Sequence, residues 1–158
     1  MKTQFHASAS QPILLTAAAS LLLVGIAAAT TRARAAEPTP RMVLQGVMAK
    51  LGRDMQAVTG AIAVEDWAAV ARLAPGIARH PEPPLSEKLR ILAWLGGDAG
   101  KFRAFDIQAH DAALAMGQAA QRGDGGAVID AFARTQRACL GCHQGYRQRF
   151  IARFHDRR

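Results

Sequence analysis

The chain has 158 residues, half of them apolar and only 6% aromatic, with one tyrosine and two cysteines. That length allows one modest core rather than two, and the alanine-rich, tyrosine-poor composition points to helices. The formal net charge is +8, but the basic residues are not interleaved with aromatics, so a nucleic-acid surface is excluded.

The first 35 residues read as an export signal. After Lys2 the stretch PILLTAAASLLLVGIAAA, Pro12 to Ala29, carries no charge, and Ala33 and Ala35 supply the small residues a signal peptidase reads. The other reading is an uncleaved anchor, since about 18 apolar residues is the lower limit for spanning a bilayer. The Ala-rich run followed by small residues favours cleavage, which would leave no stable membrane anchor. Residues 36–158 then hold 17 basic and 12 acidic side chains, a formal +5.

Four helical segments follow from apolar spacing. In the first, Thr39 is placed to cap and Pro40 fits the opening turn, while Leu44, Met48, Leu51, Met55, Val58 and Ile62 recur every three or four residues as one stripe. The second, VEDWAAVARLAPGIARH, puts Trp67, Val70, Leu73 or Ala74 and Ile77 on one face, and Pro75-Gly76 is expected to kink or end it. HPEPP cannot continue a helix and reads as the main surface loop, followed by SEKLRILAWL as a short apolar turn and GGD as a breaker. The third helix is expected over about Ala99 to Arg122, with Phe102, Phe105, Ala109, Ala112 or Ala113 and Met116 inward. RGDGG ends it, Asp124 caps the next, and the fourth carries Val128, Ile129, Phe132, Cys139, Cys142 or His143, Tyr146 and Phe150 at helical spacing. Four amphipathic segments with mostly short connections make an all-α antiparallel four-helix bundle the natural architecture.

Both cysteines of the chain lie in ACLGCHQGYRQRF, residues 138–150. Thiol redox motifs sit at a helix N-terminus, where the dipole lowers a thiol pKa, but this pair comes more than ten residues into a helix. A zinc site needs four ligands, and the other histidines offer no second ligand pair at finger spacing. A disulfide across this spacing would be strained in a regular helix. The remaining chemistry uses every residue: Cys139 and Cys142 form thioethers to the two haem vinyl groups and His143 coordinates the iron. One covalent haem c in an exported chain also suits the compartment where such haem is assembled, the bacterial periplasm.

With CHQGYRQRF on its last helix, the chain resembles the cytochrome c′ family, whose pattern near the chain end is C-x-x-C-H-x-x-Y-R. MAKLGRDM on the first helix looks like the Met-ligated low-spin members of that family. The resemblance implies a four-helix bundle with haem held inside one end. It also implies that Arg147, one turn past His143, lies beside the proximal imidazole.

Met48 is the expected distal ligand, with Gly52 one turn on leaving room for a flat porphyrin and Leu44, Leu51 and Met55 sealing the pocket; core filling by Met48, or ligation by Met42 or Met55, are the alternatives. A His/Met iron would carry single electrons. An empty distal side would instead give a five-coordinate protein that binds or buffers NO or CO. Phe102, Phe105 and Trp94 serve equally as haem walls or core; His80 and His110 are alternative iron ligands by chemistry alone. No triad, paired carboxylate or phosphate loop appears, so the chain is not expected to be an enzyme. Arg147, Arg149, Arg153, Arg157 and Arg158 would favour an acidic redox partner, and Gly46 and Ala57 on a second face of the first helix would allow a homodimer.

Overall fold

The computed structural model describes residues 42–155, which belong to the unit running from Ala36 to Arg158. The expected export segment and the Thr39-Pro40 helix start lie outside the described residues. Six helices follow: α1 (Val43–Ala63), α2 (Trp67–Ala78), α3 (Leu85–Leu95), α4 (Ala99–Gln121), α5 (Gly125–Cys142) and α6 (Gln148–Phe154). A π turn, His143–Arg147, joins α5 to α6 without a break, and a 3₁₀ turn, Gly96–Asp98, joins α3 to α4. No helix among the described residues is long and apolar enough to cross a membrane.

Two connections of the same design set the direction of the chain. At the end of α1, Glu65 takes the left-handed conformation (φ 56°) and the Asp66 N–H donates to the Ala61 carbonyl at 2.9 Å. At the end of α4, Gly123 does the same (φ 68°) and the Asp124 N–H donates to the Ala119 carbonyl at 3.1 Å. Each is the left-handed helix stop in which a bond from the second residue beyond the end reaches back over the last turn. In both, the aspartate then caps the next helix, Asp66 accepting from the Ala69 N–H and Asp124 from the Ala127 N–H.

The two connections meet at one end of the molecule. A Cβ on Gly125 would fall 2.8 Å from the Trp67 ring, so the first turn of α2 lies against the first turn of α5. Thus α1 and α4 arrive at this end and α2 and α5 leave it, which is an up-down helical bundle. Close backbone approach runs from α1 to α2, from α2 to α4 and from α4 to α5. The core here is small-residue packing: Val58, Val70, Ala74, Ala113, Met116, Val128 and Ala131 are all essentially inaccessible apart from minor edges.

Two expectations are corrected. Pro75 does not end α2, which continues to Ala78. The proline's missing N–H removes one helical bond and its ring crowds the carbonyl one turn back, costs offset by the burial of Ala74, Ile77 and Ala78 around it; the ring lies beside Gly117 of α4, where a Cβ would be 3.6 Å from Pro75 Cδ. SEKLRILAWL is a full helix rather than a turn, with Glu87, Ile91 and Leu95 buried at four-residue spacing. GGD does break the helical run as expected: Gly96, at φ 51°, ends α3 after Leu95, and a 3₁₀ turn leads from it into α4. The inward faces expected of α2 and α4 are as observed, but Ile129 of α5 is exposed.

Candidate cofactor-attachment site

The second buried cluster occupies the opposite end of the bundle and is aromatic: Met42, Ile91, Leu95, Tyr146 and Phe154, with Trp94, Phe102, Phe105, Cys142 and Phe150 packed against them. Phe102 meets Tyr146 edge to face with centroids 5.2 Å apart, and Trp94 meets Phe150 at 5.7 Å. Thr135, fully buried one turn before Cys139, donates its hydroxyl to the Ala131 carbonyl at 3.0 Å and marks the border between the two clusters.

Cys139 and Cys142 occupy the last turn of α5, and the π turn starts on His143. A single π turn within an α-helix costs hydrogen-bond geometry and is found most often at functional positions. Both thiols are free and half-buried. Burial pushes the Cys139 thiol up, and it pushes Cys142 up to about 11, with the negative charge of Cys139 and Asp106 adding to the effect. Neither is the activated thiolate that thiol exchange requires. Among the described residues no three Cys, His, Asp or Glu side chains are grouped to hold a metal ion, so no zinc-type ligand set forms there.

Gly141, between the cysteines, is set by a neighbour: a Cβ on it would come within 2.5 Å of Phe105 Cε1. The Phe105 ring of α4 therefore presses directly on the backbone of the cysteine turn. His143 is exposed, and its ring has no hydrogen-bond partner among the described residues. His80 and His110 are engaged. The His110 Nδ1 is 2.8 Å from the Ala78 carbonyl, and His80 lies between the Pro81 carbonyl (3.2 Å) and the Asp106 carboxylate (3.3 Å). Two acceptors on one ring favour the protonated form, so the His80 pKa is raised, chiefly by the Asp106 bond. Asp106 is correspondingly lowered.

On α1, Val47 takes the packed position and Met48 is 41% exposed. Met48 thus stands on the flank of the buried stripe and joins neither cluster, which corrects its expected inward placement. Leu44, Leu51 and Met55 are half-buried, and a Cβ on Gly52 would meet nothing within 4 Å. α1 and α5 do not make the close backbone approach that α4 and α5 make. Arg147 is exposed and takes part in none of the ion pairs among the described residues. Asp98 pairs with Arg149 (3.4 Å) rather than capping α4 with its side chain.

Sequence reasoning missed Glu87. This buried carboxylate of α3 accepts the Val43 N–H on Oε2 and the Leu44 N–H on Oε1, both at 2.8 Å. It serves as the N-terminal cap of α1, supplied from another helix, and neutralises the positive end of that helix. The signal was present as a carboxylate at four-residue spacing with Ile91 and Leu95.

No family model matches this chain, and neither a curated protein nor a solved structure matches it. The likeness to cytochromes c′ therefore stands on the quoted motifs alone.

Proposed function

We propose that this chain is an exported c-type cytochrome that carries single electrons, with one haem c attached through Cys139 and Cys142. One observation carries the reading: the only two cysteines lie half-buried one turn apart inside the last long helix, and an exposed, unpartnered histidine follows at once. The residues fit the group. Thioether attachment does not ask the two sulfurs to converge on a metal, and His143 is free to turn its ring toward an iron. Haem iron ligated by histidine and methionine exchanges one electron with little rearrangement of its ligands.

The protein's own residues would then do the following. Cys139 and Cys142 anchor the group's edge to α5, and Phe105, lying across Gly141, stiffens that turn. Met48 supplies sulfur from α1, and Gly52 gives the approaching group open space that no neighbour in the chain requires. Glu87 positions the start of α1, and hence Met48, relative to α3. Arg147 lies one turn past His143 and sets the charge on the proximal side. An acidic redox partner, and a homodimer through the face of α1 carrying Gly46 and Ala57, belong to the same proposal; both of these residues are exposed.

The exposure of Met48 supports a second reading, in which the sixth position is empty and the protein binds NO or CO. The test is expression in a host competent for cytochrome c maturation. The expected product carries the mass of one haem through denaturation, and Cys139→Ala or Cys142→Ala reduces or abolishes it. Intact haem-free protein with two titratable thiols from that host would end the proposal. Visible spectra then separate the two readings: a low-spin wild type that Met48→Ala converts to a high-spin, CO-binding form supports the electron carrier, and a wild type already high-spin and CO-reactive supports the gas binder.

A further inference from the structure

The far side of the aromatic cluster carries a second feature. Arg90 and Ala93 of α3, with Trp94, face Arg153 and Phe154 of α6 around a shallow cavity of about 400 Å³. Both arginines stack on one ring: the Arg90 guanidinium carbon lies 5.7 Å and that of Arg153 5.5 Å from the Phe154 centroid. Phe154 is itself buried and held edge to face by Trp94 at 5.6 Å, so the floor is rigid. The neighbouring Arg149 lies over Trp94 and is paired with Asp98. Neither Arg90 nor Arg153 has a carboxylate partner among the described residues.

We propose that this cavity is a binding site for a small organic carboxylate with an apolar body. A guanidinium stacked on an aromatic face spends none of its N–H groups on the contact, so its in-plane edge stays available to a carboxylate, whose two oxygens match the fork. The charged groups lining the cavity are the two guanidiniums, and the Trp94 indole N–H is the other polar side-chain group among its lining residues. No lysine or hydroxyl side chain lines it to satisfy the several oxygens of a phosphate, while Ala93 and Trp94 give it an apolar wall. Two cations opposite one anion also leave the site positive when empty, which draws the ligand in.

The two arginines stand apart from the cysteines: Phe154, on which they stack, lies twelve residues beyond Cys142, about 18 Å along the helix at 1.5 Å per residue, within the aromatic cluster that also holds Trp94 and Cys142.

The experiment is calorimetric titration of the purified protein with 3-phenylpropionate, its neutral amide and inorganic phosphate, with NMR locating the contact. Saturable binding of 3-phenylpropionate is expected, shifting the Trp94 indole and Phe154 ring signals, with the amide and phosphate each weaker by at least about tenfold. Arg90→Gln and Arg153→Gln should each weaken binding by about tenfold or more while leaving the thermal midpoint nearly unchanged, because both side chains are exposed. The proposal is overturned by an amide that binds as well as the acid, by phosphate that binds as tightly, by shifts away from Trp94 and Phe154, or by no saturation at millimolar ligand.

Discussion

The two ends of this bundle are built on different principles. At the end where α2 and α5 begin, alanine, valine and one buried methionine let four helices approach closely, and each chain reversal is a three-residue turn capped by its own aspartate. At the cysteine end, large rings fill the space, α3 and α6 are added as covers, and α1 is capped by a carboxylate from another helix. Small side chains bring backbones together without help, whereas rings hold them apart and leave helix ends that distant groups must satisfy. A cofactor reading belongs to the second kind of end.

The comparison predicts where stability would depend on the proposed haem. Met116→Ala empties a fully buried position at the close-packed end and should cost about 2–5 kcal/mol, by the same amount in haem-loaded and haem-free protein. Denaturant titrations of both forms check this; a loss confined to one form breaks the division into two ends. Glu87→Ala should come next, at about 1–3 kcal/mol, because it leaves two helix N–H groups unpaired in a buried setting. Glu87→Gln keeps one acceptor and should recover part of that loss. If the end positions Met48 as proposed, Glu87→Ala should also weaken the low-spin signature of the loaded protein.

The twin turns offer a gain. Glu65 holds a left-handed conformation that costs a side-chain-bearing residue about 1–2 kcal/mol, while the equivalent position in the other turn is Gly123. Glu65→Gly should stabilise the protein by roughly 1 kcal/mol and Gly123→Ala should destabilise it by about as much, read as opposite shifts of the thermal midpoint.

The smallest effect is the clasp between His80 and Asp106. Asp106 is lowered from 3.8, so its contribution is present above that value and lost as pH falls through its folded pKa. His80 is raised from 6.5, so its contribution is present below that value and lost as pH rises through its folded pKa. The stability difference between wild type and Asp106→Asn should therefore peak between 3.8 and 6.5 and fade on either side. Its size stays below about 1 kcal/mol because the Asp106 side chain is largely solvated. A difference that grows above neutral pH would rule the clasp out.

Local rules carried the sequence reading a long way. Apolar spacing alone located α2 and α4, the glycine and aspartate at 123 and 124 marked the turn from α4 to α5, and the Cys-Leu-Gly-Cys-His run supplied the motif on which the proposed haem attachment rests. The equivalent stop at Glu65 was illegible, since a glutamate carries no mark of a left-handed backbone. Tertiary packing decided the rest. Pro75 is carried within α2 because Ala74, Ile77 and Ala78 around it are buried in the core, and α3 is a helix whose Glu87, Ile91 and Leu95 face is buried. Val47 rather than Met48 is buried because the face of α1 that meets its neighbours is set by where α2 lies, and a helical stripe two residues wide leaves that choice open. Spacing names the residues that share a face; only the partner helix decides which edge of that face is covered.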